Sequence, residues 1–450
     1  MFDSSDTIIA RATPLGTAGV AIVRISGPAA FAIAGNIFQP LSHASVEELP
    51  VRYLSGGSIR MDGNLLDQCL AVRFQHPHSF TGDDVVEFHL HGNMLIAEHV
   101  INLGIRQGAR LATPGEFTKR AFLNGKIDLT QVEALADVIA SESEQALFIA
   151  QRQLHGELRS RLHEFRERLL KVLALLELEL DFVQEGYQFA SVEQVTGLLD
   201  ELRSFVGGLL ASYQLGARLR RGPRVLLLGR PNAGKSSLFN ALVGHARALV
   251  STVEGTTRDY LEEPVSYGGV QFRFVDTAGL RETGDYLEAE GVARALDLVS
   301  SADHVFYLID GSIADGVEPE LARVDDLRKQ FPEASIVPVL TKADLLAVTS
   351  EGCLSCSIQD RASLRVLLDH LLHTYTSALS DSIALVSHRQ FLLLSSMSHV
   401  LDSISYSSTG DTELLSDDLR ALLRPLSELT GDVVNDDILN LLFSSFCIGK

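Results

Sequence analysis

Cysteine is scarce: Cys69, Cys353, Cys356 and Cys447 are the four in 450 residues. They are too few and too scattered for the disulfide framework of a secreted scaffold, so a reducing compartment is expected. Basic charge is also short, with 38 Lys and Arg against 58 Asp and Glu and a formal charge of −20. Such a chain is not drawn indiscriminately to a nucleic-acid backbone or an anionic membrane, so a polyanion must be met by a local basic patch or through a second protein. Long apolar runs are missing too. No stretch reaches the ~18 residues of a membrane span, and the N-terminal MFDSSDTIIARATP has acids where a secretory signal needs bases. The expectation is a soluble, cytoplasmic protein without a membrane partner. What is present is ordinary globular usage, 46% apolar and 21% charged. At ~100 to 200 residues per domain, the length implies two to four domains.

The pattern changes twice along the chain. Up to about residue 120, GVAIVRISGP, QCLAVRF and DDVVEFHLHG read as strands and MLIAEHVINLGIRQG as a helix, an α+β arrangement. From about 121 to 215 long helices take over. Leu158, Leu162, Phe165, Leu169, Val172, Leu176, Leu180 and Val183 form one apolar stripe for a helical bundle. From Arg224 to about 378, RVLLLG, VQFRFVDTAG, HVFYLIDG and SIVPVLTKAD are unbroken apolar runs ending in Gly or Asp, as expected of strands buried on both faces of a parallel sheet. HRQFLLLSSMSHVLDSI and DLRALLRPLSEL then return to helical spacing. The economical architecture inserts an α/β domain into a helical one.

GRPNAGKS, Gly229 to Ser236, fits G-x-x-x-x-G-K-[ST] and lies between a strand and a helix. Its glycines let backbone N–H groups close around phosphate oxygens, Lys235 reaches the β and γ phosphates, and Ser236 can ligate Mg²⁺. In EGTTRD, Thr256 and Thr257 offer a further Mg²⁺ hydroxyl, and DTAG, Asp276 to Gly279, ends a strand with a carboxylate and a glycine amide for the γ phosphate. TKAD, Thr341 to Asp344, follows another strand. Its carboxylate can accept the N1 and N2 hydrogens of guanine, a donor pair adenine lacks, so the set reads GTP rather than ATP. Thr341 stands where an Asn is usual, and a hydroxyl replaces only part of an amide's bonding, which bears on affinity more than on selectivity. Leu280 stands where many GTPases have a water-orienting Gln. Hydrolysis must therefore borrow a polar group, and Glu282, Asp285, Glu288 and Glu290 lie on the same segment.

GRPNAGKSS, EGTTRDY, DTAGLRET, the helical flanks, PGEFTKRAFLNGKIDLTQVEALAD (residues 114 to 137) and the terminal FCIGK together resemble the MnmE, or TrmE, family of tRNA modification GTPases. The match is co-linear over essentially the whole chain. The GTPase motifs are shared with ribosome-assembly GTPases, whereas the GEFTKRAF block and the terminal C-x-G-K are particular to this family. An assembly switch, the rival reading, has no need of a thiol at the chain end.

The resemblance implies a multidomain α/β protein: an N-terminal α+β folate-binding and dimerisation domain over 1–120, a discontinuous helical domain over 121–217 and 379–450, and an inserted Ras-like doubly wound P-loop GTPase domain over 218–378. It implies a homodimer that, with the flavoprotein MnmG in a heterotetramer, modifies C5 of the wobble uridine of certain tRNAs using 5-formyltetrahydrofolate or a related one-carbon folate. The nucleotide set carried over comprises Asn232, Ala233, Gly234, Lys235, Ser236 and Ser237, then Ser251, Thr252, Val253, Glu254, Gly255, Thr256 and Thr257. It continues with Asp276, Thr277, Ala278 and Gly279, with Thr341, Lys342, Ala343 and Asp344, and with Ser355, Cys356 and Ser357 under the guanine. Mg²⁺ falls to Ser236 and Thr257. K⁺ falls to Asn232, Ser251, Val253 and Thr256, where a monovalent cation would neutralise transition-state charge. The family's E-x-x-G falls on Glu288 to Gly291, which selects Glu288 to position water. The folate set is Arg24, Glu87, Lys126 and Lys450, cations for the glutamate tail and a carboxylate for the pterin.

Cys447 is the candidate nucleophile of the modification. ILNLLFSSF has helical spacing, with Ile438, Leu441, Leu442 and Phe446 on a stripe expected to dock on the helical domain. Gly449 is expected to free the tip from that helix so that it can move, and a nearby Lys450 favours thiolate. Cys353 and Cys356 form a C-x-x-C without a second pair, so a zinc site is not expected. Glu87, His89 and His91 alternate on one strand face, where the folate reading outranks a metal. Arg218, Arg220, Arg221 and Arg224 form the densest basic cluster, either a solvated helix end or a tRNA phosphate contact.

Overall fold

The computed structural model describes residues 6–181, 191–247, 262–276, 297–313, 317–345, 352–376, 387–404, 412–433, 436–444 and 446–449. By contact the chain divides into two units, Met1–Ala136 with Leu426–Lys450, and Asp137–Pro425. Among the described residues no helix is long and apolar enough to cross a membrane.

The first unit holds a sheet of β1 (Ile8–Arg11), β2 (Val20–Ser26), β3 (Phe38–Pro40), β4 (Ser55–Met61), β5 (Asn64–Phe74), β6 (Val85–His91) and β7 (Arg110–Leu111). Their order is β3-β4-β5-β6-β2-β1-β7, antiparallel except for the β1/β7 pair. Two helices, α1 (Ala30–Ile37) and α2 (Met94–Arg106), cover one face and bury Ile33, Ile37, Ala97 and Val100 against Val23, Ile25, Val86, Phe88 and Leu90. Side chains alternate across a strand, so Arg24 on β2 and Glu87 and His89 on β6 stand on the face away from this core. The register places Arg24 directly opposite Glu87.

After the sheet come α3 (Glu116–Leu123) and α4 (Leu129–Ala140), and the C-terminal helix Asp436–Ser444 returns to this same unit. Leu439, Phe443 and Phe446 bury against Leu129 and Val132 of α4. The stripe expected from Ile438, Leu441, Leu442 and Phe446 is thus carried by Leu439, Phe443 and Phe446, with Leu442 only partly buried; the side chains of Ile438 and Leu441 lie outside the described residues. Its partners Leu129 and Val132 lie within the 121–217 segment read as helical, and by contact this helix groups with the unit of Met1–Ala136.

In the second unit α5 (Glu144–Leu154), α6 (Glu157–Asp181) and α7 (Val192–Arg221) precede the α/β segment, and helices His388–Ser403 and Thr412–Ala421 follow it. The later pair packs back on α7 and α6, respectively. The stripe of α6 is seated from Leu158 to Leu176, but Glu179 rather than Leu180 takes the next buried position, and Val183 lies outside the described residues.

The second sheet consists of β8 (Arg224–Gly229), β9 (Glu262–Tyr267), β10 (Val270–Asp276), β11 (His304–Asp310), β12 (Ser335–Thr341) and β13 (Leu354–Ser355), ordered β13-β12-β11-β8-β10-β9. All neighbours are parallel except β9 with β10. Both faces are covered: Phe272, Phe274, Phe306 and Leu308 meet α8 (Lys235–Arg247) and helix Arg361–Thr376, while Leu226, Val275, Val305, Tyr307 and Ile309 meet Val317 and Val324 of helix Val317–Gln330. Unbroken apolar runs are what such two-sided burial requires. Ile149 of α5 and Leu219 of α7 join the first of these cores, and Gln145 N–H donates to Gly269 O (3.0 Å) in the β9–β10 turn. The sheet is therefore seated on the helices that precede it.

Candidate functional site

Strand β8 ends at Gly229, whose φ of 147° and close approach to Leu308 require glycine: a Cβ would lie 2.4 Å from the Leu308 carbonyl oxygen. The chain then turns through Asn232 (φ 67°) and Gly234 (φ 90°) into α8. This turn aims the N-terminus of a thirteen-residue helix at one point, the backbone arrangement that binds phosphate. Ser236 and Ser237 are exposed at its first turn, and Lys235 Nζ lies over the loop, donating to Gly229 O (2.8 Å) and Arg230 O (2.7 Å).

The TKAD segment, Thr341 to Asp344, sits beside it, at the carboxyl ends of the central strands. Asp344 Oδ1 accepts from Ser357 Oγ at 2.7 Å, which fixes the carboxylate. Lys342, at a φ of 55°, donates to Asp310 Oδ2 at 2.5 Å. Burial opposes ionisation of Asp310, but the Lys342 ammonium and the Ser312 hydroxyl and amide outweigh it and hold the carboxyl below its usual range. Thr341 is buried, with its hydroxyl 2.9 Å from Ala233 O.

Of the residues that the resemblance puts under the guanine, Ser355 is exposed and Cys356 is held inward. Cys356 is buried, its thiol pushed up to about 12 by burial, and its backbone is used in sheet-like bonds, N–H to Leu340 O and carbonyl from Ala343 N–H. Ser357 supplies the hydroxyl on Asp344. Cys353 packs into the core on one face of the sheet and Cys356 into the core on the other, so the C-x-x-C brings no two thiols together.

Ser251, Thr252, Val253, Glu254, Gly255, Thr256, Thr257, Thr277, Ala278, Gly279, Glu288 and Lys450, with the Asp276 side chain, lie outside the described residues.

In the first unit, Arg24 Nε donates to Glu87 Oε1 at 2.6 Å, and its guanidinium carbon lies 5.5 Å from the Phe117 ring centroid and 5.9 Å from that of Phe80. Neither ring was singled out by sequence, because a buried Phe117 and a loop Phe80 carry no ligand signal of their own. Lys126 is exposed beside Gly82, two residues after Phe80, where Asn124 Nδ2 donates to Thr81 O (2.7 Å). Arg24, Glu87 and Lys126 thus border one loop. His91 is engaged by Asp67 (2.6 Å), and among the described residues no cluster of three His, Cys, Asp or Glu could hold a metal.

The GEFTKRAF block proves to be an internal joint. Glu116 is buried and accepts from Arg110 Nη2 (2.7 Å), Thr113 N (2.8 Å) and Thr113 Oγ1 (3.0 Å). Burial alone would raise its pKa, but these partners hold it down to about 2. Lys119 Nζ donates to Asn440 Oδ1 (3.2 Å) on the C-terminal helix. Gly115 N–H reaches the Cys447 carbonyl at 3.4 Å, and Gly449 is buried against β1, where a Cβ would meet Arg11 O at 2.0 Å. The segment before Lys450 is therefore packed, not freed by its glycine. Cys447 itself is exposed.

Each arginine of the cluster has a carboxylate partner and keeps part of its side chain exposed. Arg218 and Arg221 both reach Asp303 (2.9 and 2.7 Å), Arg220 reaches Asp137 (2.7 Å) and Arg224 reaches Glu262 (2.5 Å).

Two family models match the chain, "MnmE helical domain" over residues 129–447 and "GTP-binding protein TrmE N-terminus" over 7–126. The chain belongs to the MnmE family. Relatives named tRNA modification GTPase MnmE include those of Salinibacter ruber (42% identical, covering 99% of both chains), Chlorobium phaeobacteroides (41%, 99% of this chain and 97% of that one) and Aquifex aeolicus (37%, 99% and 100%). Within an MnmE chain, Gly115, Glu116 and Lys119 now have a physical role. Gly115 and Lys119 meet the segment that carries Cys447, and Glu116 fixes the start of their helix through Arg110 and Thr113.

Proposed function

We propose that this chain is a K⁺-dependent GTP hydrolase of tRNA modification. With the flavoprotein MnmG, it converts C5 of wobble uridine 34 of certain tRNAs to the carboxymethylaminomethyl or aminomethyl form, using a folate-borne one-carbon unit. The observation that carries the reading is a phosphate loop tied through Thr341 to a base-reading Asp344 already oriented by Ser357, in a chain similar to tRNA modification GTPases over 99% of its length.

Each residue has a chemical part. Asp344 accepts the guanine N1 and N2 hydrogens, while the loop amides and Lys235 receive the phosphates. The exposed hydroxyl of Ser236 and the side-chain oxygen of Asn232 are hard donors, which suit Mg²⁺ and K⁺. Thr257 would complete the Mg²⁺ set, and Ser251, Val253 and Thr256 the K⁺ set. Bound there, the two ions would neutralise charge on the phosphoryl group as it transfers. Glu288 orients the attacking water, a task Leu280 cannot perform. Hydrolysis would then drive pairing of GTPase domains in a homodimer joined through its N-terminal domains. The half-buried Arg24–Glu87 pair, with Phe80 and Phe117 beside it, offers the charged groups and flat surfaces a pterin and its glutamate tail need, with Lys126 and Lys450 as further cations. A bound folate would supply the one-carbon unit, and Cys447 is the candidate nucleophile toward the uridine. Four cysteines without a framework fit a cytoplasmic setting.

The test is nucleoside analysis of tRNA from cells lacking the protein. Loss of the C5-modified wobble uridine, restored by the wild-type chain, is the expected result, and an unchanged nucleoside profile would overturn the proposal.

A further inference from the structure

On the face of the first sheet turned away from its helices, a carboxylate and an imidazole stand side by side with bonds left to make. Glu87 and His89 alternate on β6 and share that face. Glu87 Oε1 accepts from Arg24 Nε at 2.6 Å, and among the described residues Oε2 accepts from nothing. His89 Nε2 lies 3.7 Å from that open oxygen, too far for a hydrogen bond. The nitrogen is covered and has no other partner among the described residues. Its register neighbours are Ile22 on β2 and Leu70 on β5, and neither has a polar side chain to offer.

A covered nitrogen without a partner is costly, and native structures carry few of them. Negative charge beside Nε2 favours the tautomer whose hydrogen is on that nitrogen. Oε2 and Nε2 are thus an acceptor and a donor set next to each other. Their complement is a ring edge with N–H and C=O on adjacent atoms, a lactam. Oε1 keeps a second lone pair beyond the one Arg24 uses, so an amino group beside the lactam N–H also has an acceptor. Phe80 and Phe117, 5.9 and 5.5 Å from the Arg24 guanidinium carbon, bring flat apolar surface to the same place. His89 is 26% exposed and lines an open cleft of about 760 Å³ with Ser58, Arg60, Gln68 and Leu70, so its ring has room to tilt onto such an edge.

We infer that His89 is a specificity-determining residue of this site. Its Nε2–H donates to the C4 carbonyl of a 2-amino-4-oxo pteridine, while Glu87 accepts from the N3–H at Oε2 and from the 2-amino group at Oε1. A 4-amino pteridine presents a donor where His89 needs an acceptor, and a bare N3 where Glu87 needs a hydrogen, so the pair rejects it. Arg24 and Glu87 alone leave the substituent at position 4 unread. This inference rests on the folate reading above and adds the residue that selects the oxo form.

The test is calorimetric titration of the full-length protein with 5-formyltetrahydrofolate and with its 4-amino analogue. Wild type is expected to bind the first and to hold the second at least about tenfold more weakly. His89→Phe keeps a flat ring and removes the donor. It should weaken 5-formyltetrahydrofolate about tenfold, as one hydrogen bond implies, and leave the 4-amino analogue within about twofold. His89→Gln restores an N–H donor and should return affinity to within about threefold of wild type. Unchanged affinity in His89→Phe overturns the inference, and so does an equal loss for both ligands, since shape rather than the donor would then matter. If circular dichroism shows that His89→Phe does not fold, His89→Ala against His89→Gln makes the same comparison. Uridine also carries a lactam edge but no adjacent amino group. His89-dependent binding of uridine 5′-monophosphate, by a protein without affinity for 5-formyltetrahydrofolate, would overturn the pteridine assignment. A wild-type protein that binds none of the three would instead remove the folate reading itself.

Discussion

Asp303 lies between Ala302 and the first residue of β11, and its side chain is 3% exposed. It accepts from Arg218 Nε (2.9 Å), Arg221 Nη2 (2.7 Å) and the Arg224 backbone N–H (2.9 Å). The end of α7 is thereby bound to the sheet at the point where the chain passes from helix to β8. Gly222, in the crossing itself, has a φ of 79°, and a Cβ there would lie 2.8 Å from Gln271 O, so the link is also sterically fixed. Removing one partner of a fully buried ion pair costs about 3 to 5 kcal/mol. Here Arg218 and Arg221 are 32% and 55% exposed and can regain water, so the electrostatic part must be discounted. The part-buried Arg224 N–H also loses its acceptor, at about 1 to 3 kcal/mol. We therefore expect Asp303→Ala to destabilise the second unit by about 2 to 3 kcal/mol, and Asp303→Asn, which can still accept from Arg224 N–H, by about half of that.

Urea unfolding followed by circular dichroism gives the loss directly, provided the transition of this unit is resolved from that of the other, because a chain with two units need not unfold in one step. A double-mutant cycle with Arg221→Ala isolates the pair. Salt should weaken the part carried by Arg221, which is 55% exposed, and leave the bond from Arg224 N–H unchanged. If Asp303→Ala loses less than about 0.5 kcal/mol, or the cycle shows no coupling, the pairing is a surface contact and the joint is held by packing of Leu219 and Ile149 alone.

His304 follows with both ring nitrogens buried and unpartnered, and burial first of all depresses its pKa to about 4 from an ordinary 6.5. The unfolded chain binds that proton more readily, so stability should be full above about pH 6.5 and fall by roughly 3 kcal/mol toward pH 4, a slope that urea midpoints should find missing in His304→Phe. Asp344→Asn should exchange GTP for xanthosine triphosphate in a hydrolysis assay, and a retained GTP preference would remove Asp344 from base reading. If Asn232 holds K⁺, hydrolysis at matched ionic strength should be fast in K⁺ and slow in Na⁺, and equal rates would exclude the ion. Cys447→Ser should leave folding and GTP hydrolysis near wild type and abolish the modified wobble uridine, whereas normal modification would reduce Cys447 to a surface residue.

What could be read from the sequence was whatever depends on neighbours along the chain. The central strands of the second sheet are apolar throughout because both faces are covered, and the P-loop is a run of adjacent residues whose backbone does the binding. The 121–217 stripe is likewise local, and it failed only where Glu179 takes a buried place that period alone awards to Leu180. Strand β4 is harder to see because it begins Ser-Gly-Gly-Ser. The reason for glycine there is distant in sequence: a Cβ at Gly57 would lie 2.2 Å from the Phe38 ring. Thr341 looked like a weakened Asn until the Ala233 carbonyl stood beside it, and four arginines looked like a surface patch until each met its carboxylate. Such contacts join residues dozens to hundreds of positions apart, and no spacing rule reports them.

The family-specific block illustrates a related separation between what identifies a chain and what performs its chemistry. Glu116 spends its charge on Arg110 and Thr113, Lys119 reaches the C-terminal helix, and Gly115 combines a φ of 67° with an approach so close that a Cβ would lie 2.7 Å from Phe443 O. None of these is placed to react. Together they fix the chain end on the domain that also carries Arg24 and Glu87, since Gly449 lies against Arg11 of β1, and Ala10 of that strand pairs with Arg24. The only exposed thiol among the described residues is thereby held at a fixed place on the unit that contains the proposed folate site. Constraint on this block then follows from geometry: the position of one side chain near the terminus depends on a helix more than three hundred residues before it.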